Sequence, residues 1–420
     1  MRDNTMAILV QKFGGSSVGD INKIRNVAEV VVSEVKKGYQ VVVVVSAMGK
    51  TTDYLVSLAH ELTEAPNRRE MDMLLSTGEQ VSIALLSMAI QENGVPAVSF
   101  NATQVQIITE KIHSKARILD IKTDRITNKL NKGNVVVVAG FQGVTPDQEI
   151  TTLGRGGSDT SAVALASALN AERCDIYTDV DGVFTADPRV VPVARKLEEI
   201  SYVEMLELAR VGAKVLHPRA VEIAKKYNVP LRVRSTFLPE SPGTNVIGVD
   251  SMEIYRPVSG VAADLNQVRL AILKVPDVPG IAARVFGRLA QENVSVDMII
   301  QSIHTENNTN DIAFTVAKGD LHDAVRVLET LKTEMKAERV LVDEDIAKVS
   351  IVGAGMIDRP GIAADMFAAL AEAKINIKMI ATSEIKISCL VEKDKAHDAV
   401  KIVHSKFHLD DEKENAKVVE

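Results

Sequence analysis

Two cysteines in 420 residues, Cys174 and Cys389, are too few and too far apart for a disulfide framework or a zinc site. They read as small buried hydrophobes in a reducing compartment. Tryptophan is absent, aromatics make up only 4% of the chain, and no basic run is interleaved with them. A nucleic-acid partner therefore finds neither a stacking platform nor a basic face, and the net charge of −7 argues the same way. Long apolar runs are missing too. The longest, such as residues 41–45 and 135–139, fall far short of the roughly 20 residues that cross a bilayer, so no membrane partner is expected. The start, Met1 to Met6, lacks the apolar segment of a signal peptide, and Met6 is itself an eligible start. The cytoplasm is the expected location.

What is present is the material of a large soluble protein: 46% hydrophobic and 25% charged residues, enough for two or three domains. Apolar strands at residues 7–13, 40–45 and 134–139 alternate with helical patterns at 20–37, 79–91 and 160–170. The valine-only runs read as strands buried on both faces, as in a parallel sheet with helices on either side. A Pro/Gly/Ser-rich stretch from Ser235 to Gly260 marks a boundary. Beyond it the sequence repeats itself. Asp277-Val-Pro-Gly-Ile-Ala-Ala-Arg-Val-Phe aligns with Asp358-Arg-Pro-Gly-Ile-Ala-Ala-Asp-Met-Phe, and His322-Asp-Ala-Val aligns with His397-Asp-Ala-Val. Each unit reads β-α-β-β-α, the ferredoxin-like order once a closing strand is added. Residues 339–343 can close the first unit. The second has no closing strand of its own, and residues 258–264 are free to complete it, which would interleave the two.

Four segments carry chemistry. Lys12-Phe13-Gly14-Gly15-Ser16-Ser17 follows the first strand, where backbone N–H groups and a helix N-terminus can approach phosphate oxygens, although Gly-Gly also makes a plain tight connection. Gly154-Arg155-Gly156-Gly157-Ser158-Asp159 offers glycines for close approach, an arginine able to grip a carboxylate, and an aspartate that reads equally as a helix N-cap. Residues 176–189, Ile-Tyr-Thr-Asp-Val-Asp-Gly-Val-Phe-Thr-Ala-Asp-Pro-Arg, run a strand into three acids and a turn, at the strand end where α/β folds bind ligands. Gly212-Ala213-Lys214-Val215-Leu216-His217-Pro218 follows. Three look-alikes fail. Gly49-Lys50-Thr51 lacks the first glycine of a P-loop, Gly353-Ala-Gly355 lacks the third glycine of a dinucleotide fingerprint, and Asp179-Val-Asp181-Gly182 places its glycine too early for an EF-hand. No metal site is expected.

In order and spacing, the four segments resemble the amino-acid kinase superfamily, and the aspartate kinases within it. The repeats resemble ACT modules, which bind small amino acids as regulators. The resemblance covers essentially the whole chain. It implies a three-layer α/β/α kinase domain with a mostly parallel sheet at 1–245, a linker and strand at 246–264, and α+β ferredoxin-like ACT modules at 265–345 and 346–420. It implies transfer of the γ-phosphoryl of ATP, carried with Mg²⁺, to the side-chain carboxylate of L-aspartate. That step opens the route to lysine, threonine and methionine. Lys12 and Lys214 would neutralise the moving phosphoryl, with Asp159 organising both lysines. Gly14, Gly15, Ser16, Thr178, Asp179, Asp187 and Arg189 would hold the nucleotide, with Phe184 near its base. Ser46, Thr52, Glu79, Arg155, Gly156, Gly157 and Ser158 would face the amino acid. Glu79 would meet its ammonium and Arg155 a carboxylate, while Glu79 alone could be an ordinary first-turn helix acid. An acceptor carboxylate is already ionised at neutral pH, so no general base is required.

For control, the resemblance puts lysine or threonine between Asp277, Gly280, Ile281 and Ala282 of one module and Thr382, Ser383 and Glu384 of a partner module. Gln301, Asn310 and Asp311 lie in a polar insert between the middle strands of the first repeat. Ala381 stands where the pattern has a serine. The same resemblance implies a homodimer or higher oligomer, and a separate regulatory subunit if translation also begins near Met252. A sister kinase for another acceptor would share the loops but not the tandem tail. A non-catalytic sensor would have eroded Lys12, Asp159 or Lys214, and all three are intact.

Overall fold

The computed structural model describes residues 6–213, 215–248, 256–304, 308–357 and 359–411. The chain divides into two compact units. The first holds Met1–Val183, Lys196–Ala209 and Lys214–Met252, and the second holds Phe184–Arg195, Arg210–Ala213 and Glu253–Glu420. Two short segments of the kinase-like sequence thus pack with the C-terminal unit.

The first unit is built on an eight-stranded sheet. Its spatial order is Glu199–Ser201, Thr244–Ile247, Leu231–Ser235, Arg173–Thr178, Ile8–Phe13, Gln40–Val45, Val135–Ala139 and Ala97–Phe100. Every pairing is parallel except Leu231–Ser235 against Thr244–Ile247. The central valines, Val41–Val45 and Val135–Val138, are at most 1% exposed, as helices on both faces require. Each contributes about 1.5–3 kcal/mol by leaving water. The helix Ile21–Lys36 packs Ile24, Val27, Ala28, Val31 and Val32 on one face, capped at its start by the Asp20 carboxylate on Lys23 N. A separate four-stranded sheet contains Ile118–Ile121, Ile107–Thr109, Gln142–Val144 and Ile150–Thr152.

Two features add to the sequence reading. The turn-rich boundary stretch after Ser235 contains the strand Thr244–Ile247, which buries alternate residues and turns back to pair with Leu231–Ser235. One helical stretch, Arg68–Glu92, passes for a membrane span by length and composition alone. It breaks at Ser76 into the helices Arg68–Leu75 and Thr77–Glu92, and it buries Asp72, Glu79 and Ser82 within the first unit.

The second unit contains two antiparallel four-stranded sheets. One orders Val296–His304, Thr309–Ala317, Gln267–Pro276 and Arg339–Asp343, under the helices Ile281–Gln291 and Leu321–Met335. The other orders Gly260–Asp264, Ile346–Val352, Lys386–Glu392 and Met379–Ser383, under Ile362–Glu372 and Ala396–Lys406. Gly260–Asp264 therefore pairs with the second repeat although it precedes the first, with Ala262 opposite Ser350. The second core also takes in Ala186 and Val191, and Thr185 Oγ1 lies 2.8 Å from the buried His404 Nε2. The two repeats meet through Met298, Ile346, Met379 and Leu390, flanked by a Lys378–Asp343 ion pair of 2.9 Å.

Candidate active site

Parallel pairing sets the carboxyl ends of four adjacent strands level: Phe13 lies opposite Val45 and Tyr177, and Val45 opposite Ala139. The loops that follow, at Gly14, Ser46, Gly140 and Thr178, consequently open on one edge of the sheet, as strand ends in α/β folds do. The edge is knitted by main-chain bonds. Ser46 N donates to Phe13 O at 3.1 Å, Gly49 N to Gly15 O at 3.0 Å and Gly140 N to Val45 O at 3.0 Å. Beneath them Phe13 stacks on Tyr177 with ring centres 4.5 Å apart.

Lys12, on the last full turn of pleat before the loop, reaches Asp159 with Nζ to Oδ1 at 2.7 Å, and both side chains are only 12% exposed. Asp159 is not the N-cap that its sequence position allows. The helix Gly157–Ala168 begins three residues earlier than its pattern suggests, capped by Gly156 at φ 67° with no side-chain cap bond. Asp159 thus sits inside the first turn, and its carboxylate is committed to Lys12. Gly156 is needed on two counts: its left-handed backbone, and the His217 ring, which a Cβ there would strike at 2.0 Å. Burial keeps the His217 imidazole below its usual pKa despite the nearby Asp159 carboxylate, so it adds no positive charge at neutral pH. Gly15 is excluded from change by contact, since a Cβ would come within 2.9 Å of Ala47 O.

Glu79 lies in the first turn of Thr77–Glu92, yet it is only 2% exposed. Its Oε1 accepts a hydrogen bond from Ala47 N at 3.1 Å, while Oε2 makes none among the described residues. Burial pushes its carboxyl from 4.5 up to about 7, partly opposed by backbone hydrogen bonds. A buried acid with an unused oxygen suits a cationic ligand better than it suits a helix dipole. Ser46 Oγ donates to Ser158 Oγ at 2.9 Å, joining the second strand's loop to the helix that carries Asp159. Thr52 is half-buried in the first turn of Thr51–Leu62. Arg155, between two left-handed glycines, is exposed.

Thr178 and Asp179 are bonded to each other at the end of Arg173–Thr178, Oγ1 to Oδ1 at 3.0 Å. Phe184, Asp187 and Arg189 belong to the second unit, where Arg189 pairs with Asp187 at 2.7 Å and holds its carboxyl below the usual range. Lys214 lies outside the described residues. Sequence reading gave no role to Asp72 or Arg219, and named His217 in the fourth segment without placing its ring beneath Gly156. Asp72 and Arg219 sit in no loop motif, and an acid or arginine on an amphipathic helix gives no signal of where it points.

The polar insert of the first repeat also differs from its reading as a loop. Gln301–His304 and Thr309–Asp311 extend two paired strands, with Gln301 opposite Ile312 and Ser302 opposite Asp311, while residues 305–307 and their Glu306 lie outside the described residues. Alternation continues through polar residues there because one side of the ladder faces water. Asn310 Nδ2 donates to Asp277 Oδ1 at 2.7 Å, and Asp277 N donates to Asn308 O at 3.0 Å. The insert and the Asp277 turn are thereby joined. Gly280 caps the following helix, Ile281 and Ala282 begin it, and the other proposed contacts, Thr382, Ser383 and Glu384, are exposed at the end of Met379–Ser383 and in its turn.

Residues 7–235 match the amino acid kinase family, and residues 269–334 and 349–407 each match an ACT domain. The chain is 54% identical over 404 residues to Aspartokinase 2 of Bacillus subtilis (strain 168), spanning 96% of this chain and 98% of that protein. Among solved structures, E. coli aspartokinase III in complex with aspartate and ADP (R-state) matches with a TM-score of 0.82 at 30% identity, over 96% of this chain and 100% of that one. The complex of that enzyme with lysine and aspartate (T-state) matches at 0.74 and 30%, over 95% and 99%.

Proposed function

This chain belongs to the amino acid kinase family, among its aspartate kinases, and from that premise we propose how its residues divide the work. The reaction moves the γ-phosphoryl of ATP to the side-chain carboxylate of L-aspartate, giving 4-phospho-L-aspartate and ADP, under regulation through the ACT domains. Little covalent work falls to the protein in such a transfer. Its task is alignment and neutralising charge on the moving group.

In this reading MgATP is the nucleotide substrate. Lys12 lies against the transferred phosphoryl, with Lys214 as the second cation and Asp159 fixing where Lys12 points. Gly14, Gly15 and Ser16 offer backbone N–H groups to the phosphates. Thr178, Asp179, Asp187 and Arg189 are assigned to the nucleotide, and Phe184 to its base. Glu79 takes the ammonium of aspartate and Arg155 a carboxylate, with Ser46, Thr52 and Gly156–Ser158 around them. The observation that carries the reading is the 2.7 Å Lys12–Asp159 pair beside a double glycine, together with the buried Glu79 carboxylate, which is bonded to Ala47 N after the neighbouring strand and keeps one oxygen unpartnered among the described residues. The feedback ligand is read as lysine or threonine at an ACT–ACT interface of a homodimer. The lysine complex of the E. coli relative supports lysine. Met252, the candidate internal start, lies outside the described residues. Two buried, unpaired cysteines fit a cytoplasmic enzyme.

A coupled assay of ADP release with aspartate, glutamate and acetylglutamate tests the acceptor. Turnover is expected with aspartate and at most a trace with the others. Equal turnover with glutamate would remove the assignment of Glu79 and Arg155 as the selecting pair.

A further inference from the structure

Arg155 stands between Gly154 at φ 78° and Gly156 at φ 67°, exposed and without an ion pair among the described residues. Nothing in its own loop fixes where its guanidinium begins. The base of that loop, however, is gripped from two sides by buried or half-buried charges that the reaction itself does not use.

On one side is Asp72, in the helix Arg68–Leu75, with 0% exposure. Its carboxylate accepts from Thr152 Oγ1 at 2.6 Å, from Ser114 N at 3.0 Å, and pairs with His113 Nδ1 at 2.8 Å. Ser114 is held at φ 70°, a conformation that a non-glycine residue adopts only when its surroundings impose it. Its carbonyl lies against Gly154, where a Cβ would come within 3.0 Å. On the other side is Arg219, half-buried in the first turn of Pro218–Tyr227. Its Nη1 donates to Leu153 O at 3.0 Å and its Nη2 to Ala116 O at 2.7 Å. Ala116 N in turn donates to Thr152 O at 3.0 Å. Thr152 and Leu153, two of the three residues leading into Arg155, are therefore bonded directly, to Asp72 and to Arg219, and the Ser114 backbone that Asp72 fixes leaves no room for a side chain at Gly154.

We propose that Asp72 and Arg219 are positioning residues for acceptor recognition, clamping residues 113–116 against 152–154 so that Arg155 starts from one place when the aspartate carboxylate arrives. The inference rests on the assignment of Arg155 to the acceptor. A carboxylate is the natural anchor for Ser114 and Thr152 because it only accepts, and here three donors converge on it. A guanidinium is the natural anchor for Leu153 and Ala116 because its fork reaches two carbonyls at once, which a lysine cannot do in the same geometry.

The test is a kinetic split with a double-mutant cycle. Asp72→Asn keeps the volume but turns one acceptor into a donor facing other donors. Arg219→Lys keeps the charge but loses the fork. Each is expected to raise the aspartate KM by roughly 10-fold or more, as small misplacements of a binding group do, with the ATP KM unchanged and kcat within about 2-fold. In an Arg155→Ala background neither should raise the aspartate KM further, because both act through Arg155. Equal increases in the two backgrounds, or an ATP KM that rises in parallel, would overturn the proposal. If Arg219→Lys is folded by its thermal transition and shows a wild-type aspartate KM, the proposal also fails, whatever Asp72→Asn does. If Arg155→Ala itself leaves the aspartate KM untouched, the acceptor assignment falls and takes the inference with it.

Discussion

The two sides of the proposed catalytic site are prepared differently. Lys12 is locked to Asp159 at 2.7 Å, with both groups nearly out of solvent, whereas Arg155 is exposed on a loop flanked by two left-handed glycines. Glu79 stands between these extremes: buried, with one oxygen tied to Ala47 N and the other unpartnered among the described residues. The difference follows from what each group must do. A cation that meets charge developing on a phosphoryl is worth most when its place is fixed beforehand and no solvent has to reorganise. An arginine that captures an incoming carboxylate must first be reachable. Placing its loop base while leaving its tip in water meets both demands.

The largest expected effect breaks this comparison into rate and affinity. Lys12→Met and Asp159→Asn should each lower kcat by about 10²–10³ with a folded protein and a nearly unchanged aspartate KM. Arg155→Ala should do the reverse, raising the aspartate KM about 10- to 100-fold, the worth of a charged hydrogen bond, while kcat holds. Steady-state kinetics on both substrates, with thermal melts as the folding control, decide it. If Lys12→Met changed only KM, the two sides would not differ in kind.

A smaller effect sharpens the middle case. The Glu79 carboxyl is raised from 4.5 to about 7 by burial, so its charged form, the one an ammonium needs, grows as pH rises through that value. The aspartate KM of the free enzyme should accordingly fall between pH 6 and pH 8, with the steepest part costing about tenfold per unit below 7. Glu79→Gln should raise KM and flatten that profile. The stability sign follows from the same shift: the folded state binds this proton more tightly, so the group contributes stability below 4.5 that is lost as pH rises to about 7. Glu79→Gln should lose less stability over that window in urea titrations. Identical pH profiles for wild type and variant would show that another group titrates.

The smallest effect on uninhibited turnover belongs to the tail, which serves as a control outside both sides. Asp277→Ala or Glu384→Ala should leave basal kcat and both KM values nearly intact. Each should weaken inhibition by lysine or threonine about 5- to 150-fold, the usual span of allosteric coupling. Titration of each amino acid against each variant is the measurement. Unchanged inhibition in both would place the effector elsewhere.

Much of this was legible in the chain. Runs such as Gln40–Val45 admit no solvent face, so a parallel sheet covered on both sides was the available answer. The repeat gave two β-α-β-β-α units, because an amphipathic period and a Pro-Gly turn recur in register. Lys12, Gly14, Gly15 and Gly156–Asp159 could be named because they lie in or beside the turns between strand and helix, in segments whose order and spacing resemble the amino-acid kinases. Asp72 and Arg219 could not. Each reaches segments distant in sequence, Asp72 joining 113–114 to 152 and Arg219 joining 116 to 153, and no local pattern encodes such a meeting.

Local pattern was enough to specify the elements, the repeat and the chemical character of the loops, since periodicity, turn residues and residue type act over a few neighbours. The choice among partners was made by the folded chain as a whole. It turned Asp159 from a possible cap into the partner of Lys12, gave the strand Gly260–Asp264 to the second repeat, and moved Phe184–Arg195 into the C-terminal unit. A carboxylate, a strand edge or an apolar strap is equally satisfied locally by several neighbours. The one that wins is set by which surfaces the whole chain must bury together.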